Sequence, residues 1–181
     1  NEVHITYDNL HSDLSRDARI LLDDGNLELT VKDINGRKII CEVNNNYTLY
    51  PKKTVNIPNQ ELSFPELTEK DIQDIEYAID LKYDYVALSF VQNEKVVLRT
   101  REMLKKENIG IISKIENQAG LDNFDKILEA SDAIMIARGD LGVEIPYEEI
   151  PLIQNELIQS LDAVGKPVIV ATQMLESMRE S

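Results

Sequence analysis

Two stretches decide the fold: Ile111-Ile-Ser-Lys-Ile-Glu-Asn-Gln-Ala-Gly-Leu121 and, after a second apolar run at Ala133-Ile-Met-Ile136, Ala137-Arg-Gly-Asp-Leu-Gly142. The first reads as a buried strand that ends in a lysine and a carboxylate at alternate positions. Residues i and i+2 of a strand point the same way, so Lys114 and Glu116 share a face while Ile115 points to the other. The second carries a further carboxylate, Asp140, in a Gly-rich turn. Two carboxylates and a lysine at neighbouring strand ends can hold a divalent metal and stabilise a phosphoryl group. Blander readings fit the same residues. Lys114 and Glu116 also make sense as a structural ion pair at a strand mouth, and Asp140 as a helix N-cap. Spacing alone does not choose between them.

Outward from these stretches, strands and helices alternate. Thr68-Glu-Lys-Asp71 has the form of a capping box opening a helix through about Leu81. Tyr85-Val-Ala-Leu-Ser-Phe90 reads as a buried strand and residues 94–107 as a charged amphipathic helix. After the Lys114 strand come a helix near 120–130, the strand at 133–137 and a longer helix from Tyr147 to Val164, with Gly165 as its C-cap. Pro167-Val-Ile-Val-Ala-Thr172 is the last strand. Near-continuous apolar strands in this order predict a parallel sheet or barrel.

The first third is different. Arg19-Ile-Leu-Leu22, Leu27-Glu-Leu-Thr-Val31, Arg37–Val43 and Tyr47-Thr-Leu-Tyr50 read as short strands separated by turns at Asp23–Asn26, Asn35-Gly36 and Asn44-Asn45-Asn46. They predict a small antiparallel barrel or sandwich. Pro51, Pro58 and Pro65 mark the crossing. The expected division is a β domain over residues 1–58 and an α/β domain over 59–181.

Composition narrows the function classes. With 43% hydrophobic and 29% charged residues the 181-residue chain reads as a soluble globular protein. No apolar run approaches the roughly 20 residues that span a bilayer, and the first residues lack a basic-then-apolar signal pattern. Membrane partners are therefore not expected. The single cysteine, Cys41, allows no intrachain disulfide and suits a reducing, cytoplasmic compartment. A formal net charge of −14 argues against nucleic acid as a partner. It also means that an anionic phosphate needs local cations, which Lys114 and a bound metal would supply.

The candidate residues all lie at C-terminal ends of the predicted parallel strands, where α/β barrels place their active sites. Hard carboxylate oxygens suit Mg²⁺ or Mn²⁺. The Gly139–Asp140 amides, at a helix start, could hold an anion. Thr172 and Gln173 stand at the end of the last strand. His4 and His11 lie far in sequence from any acid pair, and Cys41 reads as a core thiol. Lys52-Lys53 reads as a solvated corner or a contact to nucleotide phosphate. Asp23-Asp24-Gly25 reads as a hairpin turn, with a polar contact to a ligand left open.

Three motifs together resemble the pyruvate kinase family, in the family's order: Ile112-Ser-Lys-Ile-Glu-Asn117, Ala137-Arg-Gly-Asp-Leu-Gly-Val-Glu-Ile-Pro146 and Gly165-Lys-Pro-Val-Ile-Val-Ala-Thr-Gln-Met-Leu-Glu-Ser-Met178. Ile20–Gly25, Leu67–Asp71 and Ser89-Phe-Val91 are similar too. The resemblance implies Mg²⁺- or Mn²⁺-dependent phosphoryl transfer from phosphoenolpyruvate to ADP in glycolysis, giving pyruvate and ATP. It implies that Glu116 and Asp140 bind the metal and that Lys114 stands against the transferring phosphoryl. The Gly139 and Asp140 amides would hold the substrate carboxylate, and Thr172 would lie beside the enolate carbon and help its protonation through water. Ser89 would be a nearby supporting group, and Arg138 would support the site or a subunit contact. The β part would belong to the family's lid domain, closing over the nucleotide, with a role for Lys53, and also for Asp23, near its phosphates. A homotetramer is implied for the full-length family member.

The sequence departs from the family where Asn44-Asn45-Asn46 replaces Asn-Gly-Gly and Lys53-Thr-Val-Asn-Ile-Pro-Asn59 replaces Lys-Gly-Val-Asn-Leu-Pro-Gly, which removes glycines from tight turns. A complete (β/α)8 TIM-type barrel takes about 250 residues. The chain is therefore expected to hold about four βα units of a partial barrel, preceded by part of a small β-barrel lid. The family's K⁺ ligands and an accompanying Arg are expected outside it. Two other readings are an inactive fragment that folds or self-associates, and another metal-dependent barrel acting on pyruvate or its enol.

Overall fold

In the computed structural model, which describes residues 2–60, 62–104 and 107–174, the chain forms two compact units, Asn1–Phe64 and Pro65–Ser181. Leu175–Met178, the end of the third family-like motif, lie outside the described residues.

The first unit contains helix α1 (Leu10–Asp13) and strands β1 (Arg19–Leu22), β2 (Leu27–Asn35), β3 (Lys38–Val43) and β4 (Val55–Asn56). The strands pair antiparallel in the order β3-β2-β1-β4. Their alternating apolar side chains enclose a core of Ile20, Leu22, Leu27 and Val31, completed by Leu10, Leu14 and Ile57. Tyr47–Tyr50 is not the strand expected from its composition. The preceding chain is tied back to β2 instead. The Asn44 N–H donates to Glu28 O at 2.9 Å, and the Asn45 side chain bridges Glu28 N–H and Asn26 O. The ladder to β1 is then taken by β4. The turn asparagines are accommodated. None of Asn44, Asn45 and Asn46 has a positive φ, and Asn59 adopts the left-handed region at φ +59, which asparagine tolerates better than most residues.

Tyr7 fastens the ends of this unit. Its hydroxyl donates to Asp13 Oδ2 at 2.6 Å, its ring lies 4.3 Å from that of Phe64, and Asp13 also accepts from the Ser63 N–H and hydroxyl. Burial, then the bond to Asp13 and its charge, push the Tyr7 phenol up to about 12. The folded pKa thus lies above the unfolded value of about 10. Stability from Tyr7 should be complete below pH 10 and decline as the pH rises from about 10 towards 12. Thermal melts at alkaline pH should show this decline, and Tyr7→Phe should flatten it.

The second unit alternates α2 (Glu69–Asp80), β5 (Tyr85–Leu88), α3 (Glu94–Met103), β6 (Gly110–Ile115), α4 (Gln118–Asp122), α5 (Phe124–Ala130), β7 (Ala133–Ala137), α6 (Arg138–Glu144), α7 (Ile150–Val164) and β8 (Val168–Ala171). The sheet is parallel, in the order β5-β6-β7-β8. The fold class is therefore mixed α/β. Thr68 and Asp71 form the capping box reciprocally. Gly165 ends α7 at φ +67, a conformation that costs glycine no Cβ clash.

Some local readings change. The helix near 120–130 is two helices, broken at Asn123, whose side chain donates to the carbonyls of Gln92 and Ala119. A 3-10 turn at Tyr147–Glu149 precedes α7, and Pro151 occupies its first turn. Arg138–Glu144 is helical throughout, so Asp140 lies inside α6 and the N-cap is Ala137, without a side-chain bond.

One face of the sheet is closed by helices. Ile111, Ile115, Ile134 and Ile136 pack with Val97 of α3, Ile127 of α5 and Leu161 of α7. The Lys166 ammonium braces this layer by donating to the carbonyls of Leu128, Glu129 and Ser131 at the end of α5. The opposite face is more open: Tyr85 is 58% exposed and Ile169 39%. β5 is accordingly exposed at every second residue rather than buried. Leu161 is fully buried, whereas Leu152, on the same helix, is 66% exposed. Leu161→Ala should therefore cost about 2–5 kcal/mol in urea unfolding, and Leu152→Ala should stay within about 0.5 kcal/mol of the parent.

Candidate active site

The parallel register aligns the strand ends. Ile115 of β6 lies opposite Ile136 of β7, and Ala137 of β7 opposite Ala171 of β8. Glu116, the start of α6 and Thr172 therefore follow neighbouring strands at the same edge of the sheet.

Glu116 is the most constrained residue of this edge, with none of its surface exposed. Its Oε2 accepts the Phe90 N–H at 2.6 Å, and its Oε1 lies 2.7 Å from Lys114 Nζ. That second contact is an ion pair without a well-aligned hydrogen bond, so Oε1 has an electrostatic partner but no directed donor. Lys114 Nζ also donates to Ser89 Oγ at 3.1 Å. The strand period explains why Lys114 and Glu116 meet, but Ser89 and Phe90 arrive from the end of β5. Phe90 does so with φ +52, a strained setting for a residue with a side chain.

A second group joins the ends of β7 and β8. The Gly139 N–H donates to Thr172 Oγ1 at 3.0 Å. A Cβ at position 139 would lie 3.0 Å from the same oxygen, so only glycine fits without displacing Thr172. Thr172 and Gln173 both have positive φ, at +63 and +48. Three non-glycine residues thus hold left-handed conformations just beyond the strand ends, where such strain concentrates around function. Asp140 is half-buried in the first turn of α6. Arg138 reaches Met174 Sδ through Nη1 at 3.9 Å, while its Nε is buried without a hydrogen-bond partner. Glu144, at the end of α6, accepts the Gln118 N–H at 3.2 Å, tying this helix to the start of α4 beyond Glu116.

Among the described residues, no three His, Cys, Asp or Glu side chains converge as a ready-made metal cage. Mg²⁺ does not need one, since it commonly takes one or two carboxylates and keeps water or substrate oxygens. Glu116 fits that demand, because its buried Oε1 has no directed donor. Asp140 stands at the adjoining strand end. Lys53 belongs to the first unit, where it pairs with Asp23 at 3.0 Å.

The family model described as pyruvate kinase, barrel domain, matches residues 1–181. The chain belongs to the pyruvate kinase family. It is 52% identical over 186 aligned positions to a pyruvate kinase of Bacillus licheniformis, covering 100% of this chain and 32% of that protein. It is 49% identical to a pyruvate kinase of Staphylococcus aureus strain MRSA252, covering 98% of this chain and 31% of that one. The chain thus spans about a third of the length of these relatives.

Lys114, Glu116, Ser89, Gly139 and Thr172, all candidates from the sequence, are brought by the fold into two contacting groups. Phe90 and Glu144 are not among those candidates. Phe90 acts through its backbone, which side-chain chemistry does not reveal, and Glu144 carried a signal only as a member of the Val-Glu-Ile-Pro motif.

The buried ion pair can be tested without turnover. Lys114→Met leaves Glu116 without its counter-ion and should destabilise the protein by about 3–5 kcal/mol. Adding Glu116→Gln should recover most of that loss in urea unfolding. Equal, additive losses would show that the pair is not coupled.

Proposed function

We propose that the chain is a segment of a pyruvate kinase that transfers the phosphoryl group of phosphoenolpyruvate to ADP. The observation that carries this reading is the Lys114–Glu116 pair at the end of β6, beside the Gly139–Thr172 contact that joins the next two strand ends. Cation, carboxylate and small polar groups at one edge of a parallel sheet suit anionic chemistry.

The second unit is read as about four βα units of a (β/α)8 barrel, and the first as part of the family's lid domain. The sequence expectation divides them as 1–58 and 59–181, and the compact units divide between Phe64 and Pro65. The half-open apolar sheet face supports the barrel reading, since parallel sheets are ordinarily covered on both faces.

Glu116 and Asp140 are the residues that would hold Mg²⁺ or Mn²⁺. When bound, the ion neutralises negative charge on the substrate oxygens. Lys114 then balances the charge of the phosphoryl group as its bond to the enol oxygen breaks and a bond to ADP forms. Ser89 keeps the Lys114 ammonium at the strand end. The Gly139 and Asp140 amides hold the substrate carboxylate, for which Thr172 must give up its bond to Gly139. Thr172 assists proton delivery to the enolate carbon through water, giving pyruvate. Arg138 supports the α6 end of the site or a subunit contact, and Lys53 contacts nucleotide phosphate. K⁺ serves the full enzyme through ligands other than these residues. The full enzyme is read as a cytoplasmic homotetramer without nucleic-acid or membrane partners. Among the described residues, no helix is long and apolar enough to cross a membrane.

A lactate-dehydrogenase-coupled assay with ADP, Mg²⁺ and K⁺ tests the reading. The full-length enzyme carrying this segment should turn over, and Lys114→Met should lower kcat by about 10²-fold or more. The 181 residues alone should show negligible turnover, because about half a barrel leaves the site open. Pyruvate formation that does not depend on ADP would point to a lyase or aldolase instead.

A further inference from the structure

The first unit contains a second lysine–carboxylate pair whose surroundings bear on how its lysine is used. Asp23 is only 6% exposed, and its two oxygens have different partners. Oδ1 lies 3.0 Å from Lys53 Nζ, while Oδ2 accepts a hydrogen bond from the Tyr47 hydroxyl. The backbone holding the carboxylate is firmly placed. The Asp23 N–H donates to Thr54 O at 3.0 Å, the Asp24 N–H donates to Thr54 Oγ1 at 3.0 Å, and that hydroxyl donates back to Asp24 Oδ1. Asp23 and Asp24 both keep left-handed φ values, +53 and +55. Tyr47 and Lys53 are each about 40% exposed at the surface of this turn (40% for the tyrosine, 39% for the lysine side chain).

A lysine that serves an external phosphate must leave its carboxylate, and a nearly buried carboxylate stripped of its counter-ion is costly. A phenol that stays behind reduces that cost, because a hydrogen bond to an ionised oxygen is stronger than a neutral one. The Asp23 carboxyl is held below the usual range first by the Tyr47 hydrogen bond and then by Lys53, while both partners are pushed up by Asp23.

We propose that Tyr47 is a positioning residue which, by holding Asp23, frees Lys53 to engage the phosphates of a nucleoside diphosphate. This rests on the reading that Lys53 contacts nucleotide phosphate. Tyr47 itself touches no substrate; it sets how tightly Asp23 retains the ammonium. Without the phenol, Asp23 holds Lys53 more closely, and the nucleotide must compete harder for it.

Steady-state kinetics of the full-length enzyme carrying this segment decide the matter. Tyr47→Phe should raise the KM for ADP about 3- to 10-fold, leaving kcat and the KM for phosphoenolpyruvate unchanged. In an Asp23→Asn background the same substitution should have no further effect, since no carboxylate charge remains to be offset. If Asp23→Asn does not fold, Lys53→Ala replaces it as the background, where Tyr47→Phe should again be silent. An unchanged KM for ADP in Tyr47→Phe, or an equal effect of Tyr47→Phe in either background, overturns the proposal. An unchanged KM for ADP in Lys53→Ala overturns the underlying reading of Lys53 instead.

Discussion

A carboxylate with no exposed surface is the constraint around which the second unit's edge is built. Glu116 is tolerated in an apolar sheet only because both of its oxygens are compensated. The Phe90 N–H serves one, which requires the turn after β5 to adopt a left-handed conformation. The Lys114 ammonium serves the other and is itself steadied by Ser89. The same requirement therefore fixes the end of β5, the end of β6 and the location of the main cation at this edge. It also leaves Oε1 without a directed donor, the kind of oxygen a metal ion can use.

The first unit solves a related problem with different means. Asp23 is also nearly buried and also paired with a lysine, but a tyrosine takes its second oxygen where Glu116 uses a backbone amide. The amide comes from the turn after β5, whereas Tyr47 comes from an irregular segment pinned by Asn44 and Asn45. Thr54 adds a hydroxyl that secures Asp24.

Much of the local structure was legible from periodicity and capping chemistry. The strands around Ile111–Ile115 and Ala133–Ala137, the capping box at Thr68 and the glycine stop at Gly165 are all where their residues predict. The misreadings share a cause. Arg138–Glu144 carries two glycines and looks like a turn, yet it is held as a helix with Leu141 fully buried and Glu144 bonded to the Gln118 amide. Tyr47–Tyr50 has strand composition, but side-chain bonds from the neighbouring asparagines remove it from the ladder. Asn123 divides a continuous helical pattern because its amide satisfies carbonyls from two segments. In each case a contact with another part of the chain outweighed local propensity.

The sequence by itself determined the alternation of elements, the shared face of Lys114 and Glu116, and membership of the pyruvate kinase family through motifs in order. Strand period and local caps act over a few residues, so they can be read along the chain. The tertiary structure alone decided that Glu116 is wholly buried, that Phe90 and Ser89 complete its surroundings, that Gly139 closes on Thr172, and that Lys53 is held by Asp23 with Tyr47. Those contacts join residues 24 to 33 positions apart. Separations of that size carry no periodic signal. Only the packing of the sheet and turns brings such groups within hydrogen-bonding distance.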